Sequence, residues 1–348
     1  MVMTGAGTTS KASGKELNLK KRVFLFEEGF EAMGGDREAM KELLGGKGAG
    51  LSEMTRSGVN VPPGLTILTS CCREYTAGGE KMPAGLFDEI LSELAHVEKK
   101  LDRKLGDLNK PLLLSVRSGA KFSMPGMMDT VLNLGLNDQT VESIATLTKN
   151  PRFAWDSYRR FIQMFSNVVL EIGKDKFEDI LDDMKDELKV SNDNELTVEN
   201  LKKLVLEYKA LVEKKNGKPF PQDPKQQLHD SIEAVFRSWN NPRAVYYRNL
   251  NKIDHNLGTA VNVQSMVFGN FDENSATGVC FTRNPSTGEK LLYGEYLINA
   301  QGEDVVAGVR TPLKISEMAA HNQAIYDELL ANVGRLEQYY RDMQDIEF

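Results

Sequence analysis

The sequence predicts an α+β protein in which two strand-bearing parts flank a helical segment. Strand-like apolar runs occur before residue 137 and again after residue 258. Between them, residues 138–222 carry apolar side chains at the spacing of amphipathic helices. The chain has 348 residues, which is long enough for about two or three subdomains with their own hydrophobic cores.

The composition is that of an ordinary globular protein and argues against several classes of partner. Hydrophobic residues make up 41% of the chain, and 43 basic residues against 50 acidic ones give a net charge of −7. Binding to nucleic acid or to an anionic membrane is not expected, because both need a positive surface. The three cysteines include no Cys-x-x-Cys pair, so we expect reduced thiols and a cytoplasmic location, with an organelle such as a plastid as the alternative.

Residues 1–137 are predicted to form a disordered tail and then a first lobe. The tail covers residues 1–20, which are rich in Gly, Ser, Thr and Lys and lack a secretory apolar region. Two helices are expected to stop at Gly58 and Gly106, because glycine favours the position that follows a helix. The predicted strands are 21–26, Leu65–Leu68 and 111–116, and the predicted helices are Lys47–Ser57 and Leu86–Leu105.

Residues 138–222 are predicted to form an inserted helical subdomain. Asn150-Pro151 combines a capping residue with a proline at the first helical position, and Asp223-Pro224 repeats this pattern. Further helices are expected over Phe177–Val190 and Thr197–Lys215. Residues 223–267 then return to the first lobe.

Residues 268–348 are predicted to form a second lobe that is truncated at its C-terminal end. The expected strands around this boundary are Thr259–Phe268, Gly278–Thr282, Leu291–Ile298 and Val305–Val309, followed by a helix over Ile315–Met343. The last four residues have a strand pattern without a hairpin partner, so the chain is expected to be part of a longer protein.

A glycine-rich segment over residues 43–50 places Lys47 among four glycines at the start of a helix. Backbone N–H groups, the helix dipole and a lysine charge together suit a phosphate group. The spacing differs from that of a Walker A loop, because Lys41 stands at the first glycine position and Gly48 replaces the Ser/Thr. The alternative is a flexible turn with a solvated lysine.

A second cationic segment is Leu112–Gly135, in which an apolar strand leads to Arg117 and Lys121. An arginine fork can bind phosphate oxygens in a bidentate manner, whereas a lone arginine at a strand end commonly pairs with a carboxylate. The run Met124-Pro-Gly-Met-Met128 follows directly. It is interpreted either as padding in a turn or as a loop near the ligand.

Two weaker signals lie near the C-terminus. Ser275, Thr277 and Gly278 form a small polar turn that is either an ordinary hairpin or part of a ligand site. Asp345 and Glu347 are two residues apart, so on a strand they face the same side and could bind one hard cation such as Mg²⁺. The alternative is a solvated acidic pair on an edge strand.

Several long runs of sequence, taken together and in order, give a family resemblance. They are KELLGGKGAGLSEM, LLLSVRSGAKFSMPGMMDTVLNLGLND, NPRFAWDSYRRFIQMFS, GTAVNVQSMVFGN, TGVCFTRNPSTGEK, GEYLINAQGEDVVAGVRTP and RDMQDIEF. The chain resembles, over about residues 21–348, the N-terminal nucleotide-binding domain of the pyruvate, phosphate dikinases, which are phosphoenolpyruvate-utilising enzymes. The sister family of pyruvate, water dikinases typically has VRSSATAEDLP where this chain has VRSGAKFSMPG.

This resemblance implies an ATP-grasp fold with an appended helical subdomain. It implies that Lys47 and Arg117 contact the ATP phosphates as catalytic residues and that Thr277 and Gly278 close over the phosphates. The further residues that it places at the nucleotide are Gln264, Met266 and Val267 at the adenine, and Glu303, Asp345 and Glu347 as acidic groups. Of these acidic groups, Asp345 and Glu347 are the expected Mg²⁺ ligands.

The implied activity is conversion of ATP, phosphate and pyruvate to AMP, pyrophosphate and phosphoenolpyruvate. In such an enzyme this domain binds Mg·ATP and donates its β,γ-pyrophosphoryl group to a histidine on a separate domain. The implied partners are the phosphohistidine and pyruvate-binding domains, and the full-length enzyme is expected to be a homodimer through other regions. The alternatives are a pyruvate, water dikinase domain and a non-catalytic ATP-sensing module.

Overall fold

The computed structural model describes residues 8–12, 15–19, 21–307 and 310–348. The chain divides into two compact units, of which the larger comprises Met1–Ser52 with Pro62–Met266 and the smaller comprises Glu53–Val61 with Val267–Phe348. Both units combine helices with antiparallel sheet, which confirms the α+β class. No helix among the described residues is long and apolar enough to cross a membrane.

The described strands, in chain order, are short and mostly antiparallel. They are β1 Thr8–Ala12, β2 Lys15–Leu19, β3 Val23–Leu25, β4 Gly64–Ile67, β5 Lys104–Leu105, β6 Pro111–Leu112, β7 Leu114–Ala120, β8 Thr130–Leu134, β9 Thr259–Ser265, β10 Ala276–Phe281, β11 Tyr293–Ile298, β12 Leu313–Lys314 and β13 Asp345–Glu347.

The described helices include six in succession between β8 and β9, α6 to α11. In chain order, the described helices are α1 Phe26–Ala32, α2 Arg37–Leu43, α3 Gly45–Arg56, α4 Thr69–Ala77, α5 Leu86–Leu101, α6 Thr140–Thr148, α7 Pro151–Val168, α8 Asp175–Leu188, α9 Val198–Asn216, α10 Pro224–Ser238, α11 Pro242–Asn251, α12 Gly302–Ala307, α13 Met318–His321 and α14 Gln323–Tyr340.

The larger unit is built on a five-stranded antiparallel sheet with the strand order β3-β4-β9-β7-β8. Apolar side chains alternate with polar ones along its central strands, so the two faces differ. Leu65, Val263 and Val116 are aligned across three strands and are all at most 1% exposed. Helices α4, α5 and α10 pack on strands of this sheet and complete the core.

Proline and capping residues start the helices where the sequence predicts. The Asn150 side chain accepts a hydrogen bond from the Phe153 N–H at 3.1 Å, and the Asp223 side chain accepts one from the Lys225 N–H at 3.0 Å. The helices of the predicted subdomain, 138–222, lie within the larger compact unit.

The smaller unit has a four-stranded sheet with the order β12-β11-β10-β13. Its core consists of Cys280, Tyr296, Ile315, Met318, Leu329 and Val333. Residues 53–61 are attached to this unit by two hydrogen bonds: Tyr340 donates to Glu53 at 3.2 Å and Arg335 donates to the Gly58 carbonyl at 2.7 Å. The three cysteines are buried, and none of them forms a disulfide.

Several predictions about local structure are wrong. The helix predicted over Leu86–Leu105 ends at Leu101, where Asp102 takes the left-handed conformation, and Lys104–Leu105 form β5. The tail, predicted to be disordered, contains β1 and β2, whose backbones pair with Lys11 opposite Glu16. The strand predicted over Val305–Val309 is helical as far as Ala307, because the Asp304 carboxylate accepts from the Gln301 N–H at 2.9 Å and caps α12; residues 308 and 309 lie outside the described part of the chain. The predicted helix over Ile315–Met343 is interrupted at Asn322, whose side chain caps α14 by accepting from the Ile325 N–H.

The terminal strand has a partner that the sequence did not reveal. β13 pairs antiparallel with β10, with Val279 opposite Glu347 and Phe281 opposite Asp345. Because these strands are more than sixty residues apart in the sequence, no local hairpin signal can predict their pairing.

Candidate functional site

A row of polar side chains crosses the sheet of the larger unit. The register places Thr66 on β4, Asn262 on β9, Arg117 on β7 and Thr130 on β8 directly opposite one another. Opposed residues of antiparallel strands point to the same face, so these four side chains form one row, here called the polar row. The fully buried valines and leucines lie on the other face.

Helix α3 begins on this polar face. A Cβ atom at Gly45 would collide with the Gly119 carbonyl oxygen, and one at Gly48 would lie 2.9 Å from the Thr66 methyl carbon and 3.0 Å from Asn262 Oδ1. Gly45 also has φ +70°, which favours glycine. The glycines are therefore required for close approach between the helix and the sheet.

The close approach of α3 to the sheet brings Lys47 next to β7, the strand that carries Arg117. Lys47 Cβ lies 3.6 Å from the position that a Cβ atom would take at Gly119. Gly119 is two residues beyond Arg117 on β7 and therefore faces the same side of the sheet. Lys47 is exposed and Arg117 is half-buried. The structure thus brings together the two elements that carry Lys47 and Arg117.

The helix predicted over Lys47–Ser57 is confirmed, and it begins two residues earlier than predicted, at Gly45. Residues 45–50 form the first turns of α3, directly after α2 and its C-terminal residue Leu44. Glycines in a helix cost about 1 kcal/mol each relative to alanine, so local propensity disfavours this arrangement. Packing against β7 and β9 explains why the helix nevertheless starts there.

Lys121, the second cation of the segment Leu112–Gly135, pairs with a carboxylate. Lys121 forms a 3.5 Å salt bridge with Glu38 of α2. The methionine-rich turn that follows is anchored to the larger unit, because Met124 is buried and the Met127 carbonyl accepts a hydrogen bond from Asn241 at 2.8 Å. The structure therefore supports Arg117, and not Lys121, as the cation of the polar row.

The predicted adenine-site residues lie at the end of β9. Gln264 is two residues from Asn262 and shares its face, and its side-chain N–H donates to the Pro62 carbonyl at 3.0 Å. The Met266 N–H continues the sheet by bonding to the Leu113 carbonyl at 2.9 Å. Val267 is 70% exposed and is counted with the smaller unit.

In the smaller unit, Thr277 and Gly278 lie within strand β10, so the polar turn predicted there is wrong. The Thr277 hydroxyl donates to the Phe348 carbonyl at 2.8 Å, and the backbones of Gly278 and Phe348 exchange two hydrogen bonds at 3.0 Å. A Cβ atom at Gly278 would lie 2.6 Å from the Phe348 ring. Thr277 and Gly278 therefore both form hydrogen bonds with the backbone of Phe348.

Asp345 and Glu347 lie on β13 with both side chains exposed, while the intervening Ile346 packs against the core of the smaller unit. The predicted placement of the two carboxylates on one side of a strand is therefore confirmed. Neither forms a salt bridge within the described part of the chain. Hard, unshared carboxylate oxygens fit Mg²⁺. Glu303 lies in α12, and its side chain is outside the described part of the structure.

A separate group of possible metal ligands was not predicted from the sequence. Donor atoms of His229, Asp230 and Glu233 on α10 lie within 4.8 Å of one another. These groups already have partners, since Asp230 accepts from Gln226 at 2.7 Å and Glu233 accepts from the Met82 N–H at 3.2 Å. The helical spacing i, i+1, i+4 is the signal that could have revealed the group.

The sequence also missed three members of the polar row: Thr66, Asn262 and Thr130. Alternation along Thr259–Ser265 already places Asn262 on the same face as Gln264. The pairing of β4, β9 and β7 could not be derived in the same way, because it joins residues that are far apart in the chain.

Comparison with known sequences identifies the family. The family model described as "Pyruvate phosphate dikinase, AMP/ATP-binding domain" matches residues 79–332. The chain belongs to this family. The match runs from just before α5 into the middle of α14 and therefore includes Arg117, Asn262 and Gln264, whereas Lys47 lies before its first residue.

Three relatives match nearly the whole chain of this family member. It is 55% identical over 329 residues to "Pyruvate, phosphate dikinase 1, chloroplastic" of Oryza sativa subsp. japonica and 56% identical to "Pyruvate, phosphate dikinase, chloroplastic" of Flaveria pringlei. It is 54% identical over 331 residues to "Pyruvate, phosphate dikinase" of Clostridium symbiosum. These alignments cover 94–95% of this chain but only 34–37% of the relatives, so the chain spans about a third of their length.

Proposed function

We propose that the chain is the ATP-binding part of a pyruvate, phosphate dikinase and has an ATP-grasp fold. The observation that carries this proposal is the contact of the α3 glycines with β7 and β9. This contact brings the Lys47 helix against the polar face on which Arg117 lies. Family membership and about 55% identity to enzymes of that name support the same activity.

The cations on the polar face would bind the phosphates of ATP. An arginine offers a planar fork for two phosphate oxygens, and a lysine at the start of a helix adds its charge to the positive end of the helix dipole. Charge neutralisation and in-line positioning account for most of the catalysis of phosphoryl transfer. In this proposal Lys47 and Arg117 orient the β,γ-pyrophosphoryl group and stabilise its developing charge.

Further roles are proposed for the remaining predicted residues. Gln264, Met266 and Val267 would contact the adenine, and Thr277 and Gly278 would lie at the phosphates. Asp345 and Glu347 would hold Mg²⁺, with Glu303 as a further acidic group near the nucleotide. When bound, the metal ion would neutralise phosphate charge.

The complete reaction requires domains in addition to this chain. We propose that the pyrophosphoryl group passes to a histidine on a phosphohistidine domain and that inorganic phosphate then takes the terminal phosphoryl group as pyrophosphate. A pyruvate-binding domain would transfer the remaining phosphoryl group from the histidine to pyruvate. AMP, pyrophosphate and phosphoenolpyruvate would be the products. The whole enzyme is proposed to be a homodimer through other regions and to lie in the cytoplasm or, like the plant relatives named chloroplastic, in a plastid.

Calorimetric titration of the chain with ATP in the presence of Mg²⁺ tests the binding step. We expect saturable binding of one nucleotide, weakened about tenfold or more when EDTA removes the metal ion. The double variant Asp345→Asn/Glu347→Gln should bind equally in Mg²⁺ and in EDTA. The exposed Asp182, replaced by asparagine, is the matched control and should leave the metal dependence unchanged.

The transfer step is tested by adding a separately produced phosphohistidine domain from a relative together with ATP labelled on the β-phosphate. Label on the histidine with release of AMP would support the proposal. A chain that binds ATP but never labels the added domain would instead be an ATP-sensing module. Release of inorganic phosphate instead of pyrophosphate, without any requirement for added phosphate, in a protein with all domains, would indicate the pyruvate, water dikinase reaction.

A further inference from the structure

Asn262 is an unusual residue for the centre of a sheet. It lies in the middle strand of the larger unit, and its side chain is 1% exposed. Asparagine is depleted from strands, and burying an amide is unfavourable unless both ends of it are hydrogen-bonded. A residue with these costs at the middle of β9 calls for a physical explanation.

The surroundings of the amide connect it to three elements. Asn262 Oδ1 accepts a hydrogen bond from the Thr66 hydroxyl on β4 at 2.8 Å. On the other side, a Cβ atom at Gly119 of β7 would lie 2.6 Å from Asn262 Nδ2, and one at Gly48 of α3 would lie 3.0 Å from Oδ1. The amide therefore occupies the space that two glycines leave open between the helix and the sheet.

Its amide nitrogen is not used within the part of the chain that the structure describes. Asn262 Nδ2 is buried and has no hydrogen-bond partner among the described residues. This donor lies beside the strand segment that carries Arg117 and beside the helix turn that carries Lys47. Since the atom is inaccessible to solvent, it is not itself placed to touch a nucleotide.

We infer that Asn262 is a positioning residue that sets the relative placement of Lys47 and Arg117. This inference rests on the proposed function, in which those two cations bind the phosphates of ATP. Asn262 is opposite Arg117 in the sheet register and in contact with the residue that follows Lys47. Its amide acts as a polar spacer, because Thr66 fixes one end and the glycines fit closely around it.

The test is a double-mutant cycle on ATP binding, using Asn262→Ala and Lys47→Ala in the intact chain. We expect Asn262→Ala to weaken ATP binding about tenfold, the effect of disturbing one well-placed charge-assisted hydrogen bond. In the Lys47→Ala background the same substitution should weaken binding by less than about threefold, because the cation that Asn262 positions is already gone.

A milder pair of substitutions covers the case in which Asn262→Ala does not fold. Thr66→Val keeps the shape of the side chain but removes the donor to Asn262 Oδ1, and should weaken ATP binding about threefold. Thr66→Ser retains the hydroxyl and should restore affinity to within about twofold of the unsubstituted chain.

The matched control is Asn137→Ala, since Asn137 is another buried asparagine of the larger unit. Its side chain bonds to the Thr140 N–H at 2.8 Å and to the Gln222 carbonyl at 2.9 Å. This substitution should lower the melting temperature but leave the affinity for ATP unchanged.

The outcomes separate this inference from the proposed function. Failure of the unsubstituted chain to bind ATP would overturn the proposed function, and the inference with it. Normal ATP binding by Thr66→Val and by folded Asn262→Ala would overturn the inference alone. A tenfold loss that recurs undiminished in the Lys47→Ala background would also overturn it, because Asn262 would then act independently of the cation.

Discussion

The two faces of the five-stranded sheet have opposite chemistry although the same strands form both. One face presents Leu65, Val263 and Val116, all at most 1% exposed, to the hydrophobic core. The other presents the polar row and the start of α3. Because side chains alternate along a strand, each central strand contributes to the core and to the candidate site at once. The face to which a side chain points therefore decides whether its substitution affects the stability of the fold or the binding of ATP.

The largest effect is expected on the apolar face. Leu65→Ala should lower the free energy of unfolding by about 4 kcal/mol, because it removes buried methyl groups and leaves a cavity. ATP affinity of the folded protein should change by less than about twofold. Urea unfolding monitored by circular dichroism provides the measurement, with Leu206→Ala as the control, since Leu206 is 66% exposed. A large loss of ATP affinity in Leu65→Ala, with its stability unchanged, would contradict the assignment of different roles to the two faces.

A charge that the fold keeps buried provides the next test. Asp156 bonds to Arg159 at 2.8 Å and to Arg160 at 3.1 Å within α7. Burial would raise the pKa of the Asp156 carboxyl, but the two adjacent guanidinium groups outweigh burial and hold the pKa below its ordinary value. Asp156→Asn should therefore cost about 3 kcal/mol of stability at pH 7.

The sign of its pH dependence follows from that lowered pKa. The stabilisation by ionised Asp156 is fully present above the pKa of the unfolded state, near 3.9, and is lost as the pH falls through the folded-state pKa. The difference in free energy of unfolding between the unsubstituted chain and Asp156→Asn should accordingly begin to shrink as the pH falls below about 4. Asp182→Asn, at an exposed carboxylate, should show little difference at any pH. A difference between Asp156→Asn and the unsubstituted chain that grows on acidification would contradict the assignment.

On the polar face the expected effects are on binding. Lys47→Ala and Arg117→Ala should each weaken ATP binding by about 2 kcal/mol, or some thirtyfold, while changing stability by less than about 1 kcal/mol. Calorimetric titration measures the affinity, and Lys41→Ala on α2 is the control for loss of a surface charge. Unchanged affinity in both variants would remove these residues from the site.

The smallest expected effect concerns Thr277 in the smaller unit. Thr277→Val removes the hydroxyl that donates to the Phe348 carbonyl and should cost about 1 kcal/mol of stability. Thr277→Ser should retain that bond and most of the stability. If Thr277 also binds phosphate, as proposed, the valine variant should lose ATP affinity as well. Loss of affinity without loss of stability would show that the bond to Phe348 contributes little.

The starts of several helices and the two-sided pattern of the central strands were predictable from the sequence. Asn150-Pro151 and Asp223-Pro224 carry their own capping chemistry, so neighbouring residues suffice to place α7 and α10. In β9, the alternation of Val261 and Val263 with Asn262 and Gln264 already defines a buried and a polar face. The family resemblance on long ordered motifs was equally accessible, and the family match confirms it.

Only the tertiary structure decided how these pieces meet. The helix was predicted from Lys47 onward, but its close approach to β7 and β9, which Gly45 and Gly48 allow, follows only from packing, and glycine propensity alone disfavours a start at Gly45. The alignment of Thr66, Asn262 and Arg117 depends on pairing between strands separated by as many as about two hundred residues. Local sequence sets which side chains share a strand face, but the register between distant strands is set by packing of the whole unit.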